Sequence, residues 1–157
     1  MKTFKIQAIR NKTFVPRAIH LGMWLYAVCN GYKPRKTYNH WSVIVDDVEY
    51  EALAEGVVRH KYNPEKHEDY IEWTLKGDPK IYLEAQVGKH YEYSNFLFHT
   101  LRIIWPKWFG SWNDKKFSCI ELCTRTMQLQ GYDVDKYMNP FELKRWLDEN
   151  KKYEVFD

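Results

Sequence analysis

Cysteine is scarce in this chain. Three residues, Cys29, Cys119 and Cys123, occur among 157, an odd and sparse set unlike the even, dense frameworks of small secreted domains, so a reducing compartment is expected. Glycine is nearly as thin, at seven residues, and no glycine-rich turn joins a strand pattern to a helix pattern. Nucleotide hydrolysis on a phosphate-binding loop is therefore without support. The chain has neither His-Glu-x-x-His nor a paired Cys-x-x-Cys, and no metal or other cofactor is expected. Long apolar runs are missing too: the most apolar stretch, "AIHLGMWLYAVC" (residues 18–29), is too short to span a bilayer. The first residues, "MKTFKIQAIRNK", lack the apolar centre of a signal peptide. The expectation is a cytoplasmic protein with no stable membrane insertion. A formal net charge of +3, dispersed along the chain, is too small to point to nucleic acid as a partner.

Aromatic residues, by contrast, are abundant. They make up 17% of the chain within a hydrophobic fraction of 45%, enough to exclude a disordered chain and to build a core without disulfides. No repeat, low-complexity tract or Gly/Ser linker interrupts the sequence, so residues 1–157 are read as a single domain. "FKIQAI" is a candidate first strand. After Pro16, Ile19, Met23, Tyr26 and Ala27 recur at helical spacing, with an end expected near Cys29. The runs "HWSVIVD", "VEYEAL", "GVVRHKY", "YIEWTL" and "KIYLEA" read as a meandering antiparallel sheet. "SNFLFHTLRIIW" follows as a helix stopped by Pro106, and the aromatic loop "PKWFGSWNDKK" leads to two further helices. The fold class is α+β, an antiparallel sheet packed against helices.

The last two helices carry explicit start signals. Ser118 is an N-cap with Glu121 three residues on, which makes Cys119 the first helical residue, and Gly131 ends the helix. Asn139, Pro140 and Glu142 repeat that grammar. A cysteine in a helix's first turn sits against unpaired backbone N–H groups that favour the thiolate and that can stabilise an oxyanion. The competing reading is a buried, inert thiol, a common fate of free cysteine; Cys123, one turn deeper and in line with Ile120 and Met127, is assigned to the core.

A nucleophilic cysteine needs a base, usually histidine, and a group that orients it. If Asp46 and Asp47 form a two-residue hairpin loop, Val45 faces Val48, Ile44 faces Glu49, Val43 faces Tyr50 and Ser42 faces Glu51. One face of the ribbon is then Trp41, Val43, Val45, Val48, Tyr50 and Ala52; the other carries His40, Ser42, Ile44, Glu49 and Glu51. A one-residue slip would mix glutamates with valines. His40 and Glu51 become diagonal neighbours, a base with its orienting carboxylate, and Glu49 competes for the second role. The same pattern also fits a solvated sheet face, and His60 and His67 are assigned to solvated strand or loop surface.

The order of these parts resembles a known family. "NHWSVIVDDVEYEALAEGVV" is similar to the histidine strand, turn and following strand of NlpC-type papain-like peptidases. "VGKHYEYSNFLF" and "KFSCIELCTRTMQLQGY" are similar to their Gly-x-x-Tyr and cysteine-helix segments. His40 precedes Cys119, as in the circularly permuted, YiiX-like branch, whose nucleophile opens a "CSEL"-like helix start matched here by "CIEL". The resemblance spans about residues 18–131; Ile120, in place of a small residue, and the insertion "IIWPKWFGSW" depart from it. It implies a permuted papain-like fold and a cysteine hydrolase acting on amide, peptide or isopeptide bonds, with Cys119, His40 and Glu51 catalytic and Tyr91, Trp108 and Trp112 at the substrate. The substrate expected is a peptide or other amide, peptidoglycan-derived or a protein conjugate. Two alternatives stand beside it: lipid acyl transfer or thioester hydrolysis on the same fold, with the aromatic insertion receiving the acyl chain, and a non-enzymatic binding module using Trp105, Trp108, Phe109 and Trp112.

Overall fold

The computed structural model describes residues 2–10, 24–25, 28–29, 31, 38–67, 69–91, 116–135 and 138–150, without the side chains of Tyr91, Lys116 and Phe117. Five antiparallel strands form the main sheet: β1 (Thr3–Ile9), β2 (His40–Val45), β3 (Val48–Leu53), β4 (Gly56–Lys61) and β5 (Tyr70–Lys76). The continuously described α-helices are α1 (Lys80–Glu84), α2 (Cys119–Leu129) and α3 (Pro140–Glu149), a 3-10 turn spans Pro64–Lys66, and a short parallel pair joins β6 (His90–Tyr91) to β7 (Lys116–Phe117).

The strand order is β4-β3-β2-β1-β5. Strands β2 to β4 form the expected meander, but β5 does not continue it; it crosses to the far side of β1, so that β1 is an interior strand with a neighbour on each side. The alternation of β1 explains the placement. Phe4, Ile6 and Ala8 are almost fully buried on one face, and Ile6 is flanked by Val43 on one side and Trp73 on the other. A strand that buries this face gains cover from a neighbour on each side, which an edge position would deny it. Trp41 and Trp73 stack beneath it, with ring centroids 5.8 Å apart and planes 5° from parallel.

The β2–β3 hairpin has the register expected from sorting its faces: Ser42 pairs with Glu51, Val43 with Tyr50, Ile44 with Glu49 and Val45 with Val48. Asp46 and Asp47 both adopt positive φ, 49° and 59°, as a two-residue turn of the I′ kind requires. The next turn ends at Gly56, whose φ of 123° and whose distance of 2.5 Å from a built Cβ to the Lys89 carbonyl oxygen leave room only for glycine. That carbonyl accepts the Val57 N–H at 2.8 Å.

"KIYLEA" is a correction: it forms helix α1, not a strand. Pro79 precedes it and supplies the carbonyl for the Leu83 N–H, 2.9 Å away, while Ala85 N–H bonds to the Ile81 carbonyl. Leu83 alone of this helix is buried and Ile81 is exposed, so the apolar residues were too few to distinguish a strand from one helical turn. Of the first predicted helix, Trp24, Leu25, Val28 and Cys29 are helical; Ile19, Met23, Tyr26 and Ala27 lie outside the described residues, as does "SNFLFHTLRIIW". Helices α2 and α3 start at Ser118 and Asn139 with both capping boxes formed. Ile120, Leu122, Cys123 and Met127 of α2 and Leu143 and Leu147 of α3 join the sheet's apolar face in one core.

Tyr50 reaches through this core to donate its hydroxyl to Glu84 Oε1, 2.7 Å away, while Arg59 pairs with the other Glu84 oxygen. Burial, then the bond to Glu84 and its charge, push the Tyr50 phenol up to about 12. A folded value above that of the free phenol means that this contribution to stability is complete below pH 10 and is lost as pH rises through about 12. In alkaline absorbance titration, the difference between wild type and Tyr50→Phe is expected to show a phenol ionising near that upper value; a midpoint near 10 would contradict it. At neutral pH the substitution should cost about 1 kcal/mol in urea unfolding.

Candidate functional site

The polar face of the hairpin is where charge is buried. Ser42 and Glu49 are completely inaccessible and Glu51 is 3% exposed, so the reading of this face as solvated is corrected. Two side chains from the β4–β5 connection account for part of the cover. Tyr62 hydrogen-bonds Glu72 through its hydroxyl and accepts from Gln7 Nε2 at 3.4 Å; His67 brings Nε2 to 3.7 Å from Glu49 Oε1. Gln7, fully buried, links the row: it accepts from Ser42 Oγ at 3.2 Å and donates to Glu72 Oε1 at 3.1 Å.

His40 opens β2, and Cys119 opens α2. The first turn of α2 is held by reciprocal bonds: the Glu121 N–H donates to Ser118 Oγ at 3.3 Å, and the Ser118 N–H donates to Glu121 Oε2 at 2.8 Å. One turn on, the Cys123 thiol points at the Ser42 carbonyl, 3.7 Å away, which ties α2 to β2; burial pushes that thiol well up, in keeping with its assignment to the core. Cys119, half-buried, lies near enough to His40 to act on its imidazole. His40 Nε2 lies 3.4 Å from Glu51 Oε2, at ion-pair distance but off hydrogen-bond alignment.

Electrostatics follow from this packing. Burial alone would lower the His40 imidazolium, but the pull of Cys119 and of the Glu51 carboxylate outweighs it and raises His40 to about 10. Burial would likewise raise Glu51, yet His40 holds it down at about 2. Glu49 differs: burial and then the Glu51 charge push its carboxyl up. Two glutamates on one strand face, side by side, are thus shifted in opposite directions. Glu51, not Glu49, is the carboxylate nearest His40.

Comparison with protein-family models, curated proteins and solved structures finds no match. The site therefore rests on its own geometry. It brings together Cys119, His40 and Glu51, the three residues singled out as catalytic. Trp108 and Trp112 lie outside the described residues, and of Tyr91 only the backbone is described, paired with Phe117. Among the described residues no helix is long and apolar enough to cross a membrane.

Two residues that sequence reasoning placed on the surface belong to this cluster. His60, opposite Glu49 in the β3–β4 register, sets Nε2 3.0 Å from Glu49 Oε2 and 3.5 Å from Glu51 Oε1. His67 keeps 11% of its side chain exposed. The register would have revealed His60, since continuing the hairpin's alternation through β4 puts it on the glutamate face; no local pattern marks His67. Glu49 Oε1, Glu51 Oε1 and His67 Nε2 are buried without an aligned hydrogen bond among the described residues, though each has an ionisable neighbour within 3.7 Å.

The position of Cys119 depends on its cap. Ser118→Ala is expected to lower stability by about 1 kcal/mol in urea unfolding; an unchanged midpoint would mean that the Ser118–Glu121 exchange does not set the start of α2.

Proposed function

We propose that this chain is a cysteine hydrolase with a permuted papain-like arrangement, in which Cys119 is the nucleophile, His40 the base and Glu51 the residue that orients it. The observation that carries the reading is that His40 interacts both with Cys119, at the capped start of α2, and with the buried Glu51 carboxylate. Nucleophile, base and orienting acid are then supplied by a helix start and two adjacent strands, a constellation recognised by roles and not by chain order.

The chemistry is acyl transfer. His40 accepts the Cys119 proton, and the sulfur attacks a substrate carbonyl carbon while the backbone N–H groups of the first turn of α2 face the developing oxyanion. The tetrahedral intermediate collapses with cleavage of the carbon–nitrogen bond, and the imidazolium protonates the departing amine. Water, deprotonated by His40, then cleaves the thioester and returns free thiol and a carboxylic acid. Glu51 keeps the ring oriented and its positive form stabilised throughout. An amide, peptide or isopeptide substrate fits this sequence of steps, in a reducing compartment that keeps the thiol free.

Alkylation tests the assignment without a known substrate, because Cys29 is exposed whereas Cys119 is half-buried and Cys123 buried. With iodoacetamide at pH 7 and peptide mapping by mass spectrometry, Cys119 is expected to react at least about tenfold faster than Cys29, the reverse of their accessibility. His40→Ala should abolish that advantage, and Glu51→Gln should reduce it by less. A Cys119 that reacts more slowly than Cys29, or equally fast with and without His40, would overturn the proposal.

A further inference from the structure

Behind the Cys119–His40 pair lies a second constellation that acyl transfer does not use. Glu49 and Glu51 are two residues apart on β3, so their side chains leave the same face, and His67 comes over that face from the β4–β5 connection. The ligand atoms these three residues offer all lie within 4.8 Å of one another. Glu49 is inaccessible and Glu51 nearly so, which separates them from the solvated acidic clusters common on protein surfaces.

Three buried polar atoms are left over in the same place. Glu49 Oε1, Glu51 Oε1 and His67 Nε2 have no hydrogen-bond partner among the described residues. Their neighbours are already engaged. His60 Nε2 sits 3.0 Å from the other Glu49 oxygen, in the position of a group that steadies a ligating carboxylate. Glu51 Oε2 faces His40, leaving Oε1 for this second cluster. Lys66 also lies at its edge, with Nζ 3.7 Å from Glu51 Oε1 and 3.3 Å from His60 Nε2; its side chain is 49% exposed.

We infer that Glu49, Glu51 and His67 form a binding site for one divalent transition-metal ion. Two carboxylate oxygens and an imidazole nitrogen match the donors used by Zn2+, Mn2+ and Fe2+. An ion held at about 2.1 Å draws its ligand atoms to about 3–4 Å of one another, a small contraction from the spacing present. The expectation from motif spacing that this chain holds no metal is thereby revised: its ligands come from one strand face and a loop, so no helical His-x-x-x-His or Cys-x-x-Cys signature exists to find. The ion would pin the β4–β5 connection to β3 and fix the Glu51 carboxylate whose other oxygen faces His40. The site does not require Cys119 to be a nucleophile.

Calorimetric titration of the chelator-treated full chain tests this, with Zn2+ and Mn2+ as probes. Because a thiolate at Cys119 could itself take zinc, Cys119→Ser is the reference protein. It is expected to bind one equivalent of at least one of the two ions and to melt at a higher temperature when loaded. Glu49→Gln and His67→Gln in that background should each weaken binding at least about tenfold, and Co2+ bound to the reference should show d–d absorption without a thiolate charge-transfer band. If Glu49→Gln fails to fold, His67→Gln, outside every strand and helix, decides. Binding of neither ion by Cys119→Ser, or binding that His67→Gln leaves unchanged, would overturn the assignment; binding seen only when Cys119 is present would place the metal at the thiol and not at Glu49, Glu51 and His67.

Discussion

The two-residue turn at Asp46–Asp47 decides which way every side chain of the β2–β3 hairpin points. With both residues at positive φ and Val45 opposite Val48, Trp41, Val43, Tyr50 and Ala52 fall on the side of the core, while Ser42, Glu49 and Glu51 fall on the other. A slip of one residue would exchange the two sets, exposing the apolar row and driving two glutamates into the core. The cost of that exchange makes the register stiff, and the position of His40 against Glu51 inherits the stiffness.

Burying charge is then the price of the site. Glu49 and Glu51 are removed from water on the same face, which neither tolerates as an unpaired anion. The structure resolves the conflict asymmetrically. Glu51 is matched by His40 on one oxygen and approached by His60 and Lys66 on the other, and remains ionised; Glu49, held at one oxygen by His60, is pushed toward the protonated form. The same asymmetry lets one carboxylate orient an imidazole while its neighbour offers an oxygen elsewhere.

Much of this local structure is legible in the sequence. The capping boxes at Ser118–Glu121 and Asn139–Glu142 are local, since an N-cap and its partner three residues on contact one another whatever the rest of the chain does. The hairpin register was legible because alternation and turn length constrain it jointly. "KIYLEA" misleads because a five-residue helix with one buried leucine carries too little periodicity, and the crossing of β5 to β1 is hidden because strand order depends on contacts between segments far apart in sequence. His67 reads as a surface residue because a histidine in a polar connection looks the same whether the connection faces water or folds over a sheet.

Helix starts, hairpin pairing and the alternation of β1 follow from residues within a few positions of one another, where backbone geometry and hydrophobic periodicity leave few choices. The burial of the glutamate face, the meeting of α2 with β2 that brings Cys119 to His40, and the arrival of His67 over Glu49 depend instead on packing between distant segments. No local pattern encodes the environment of a side chain that a remote segment covers, and for ionisable groups that environment sets the charge and therefore the chemistry.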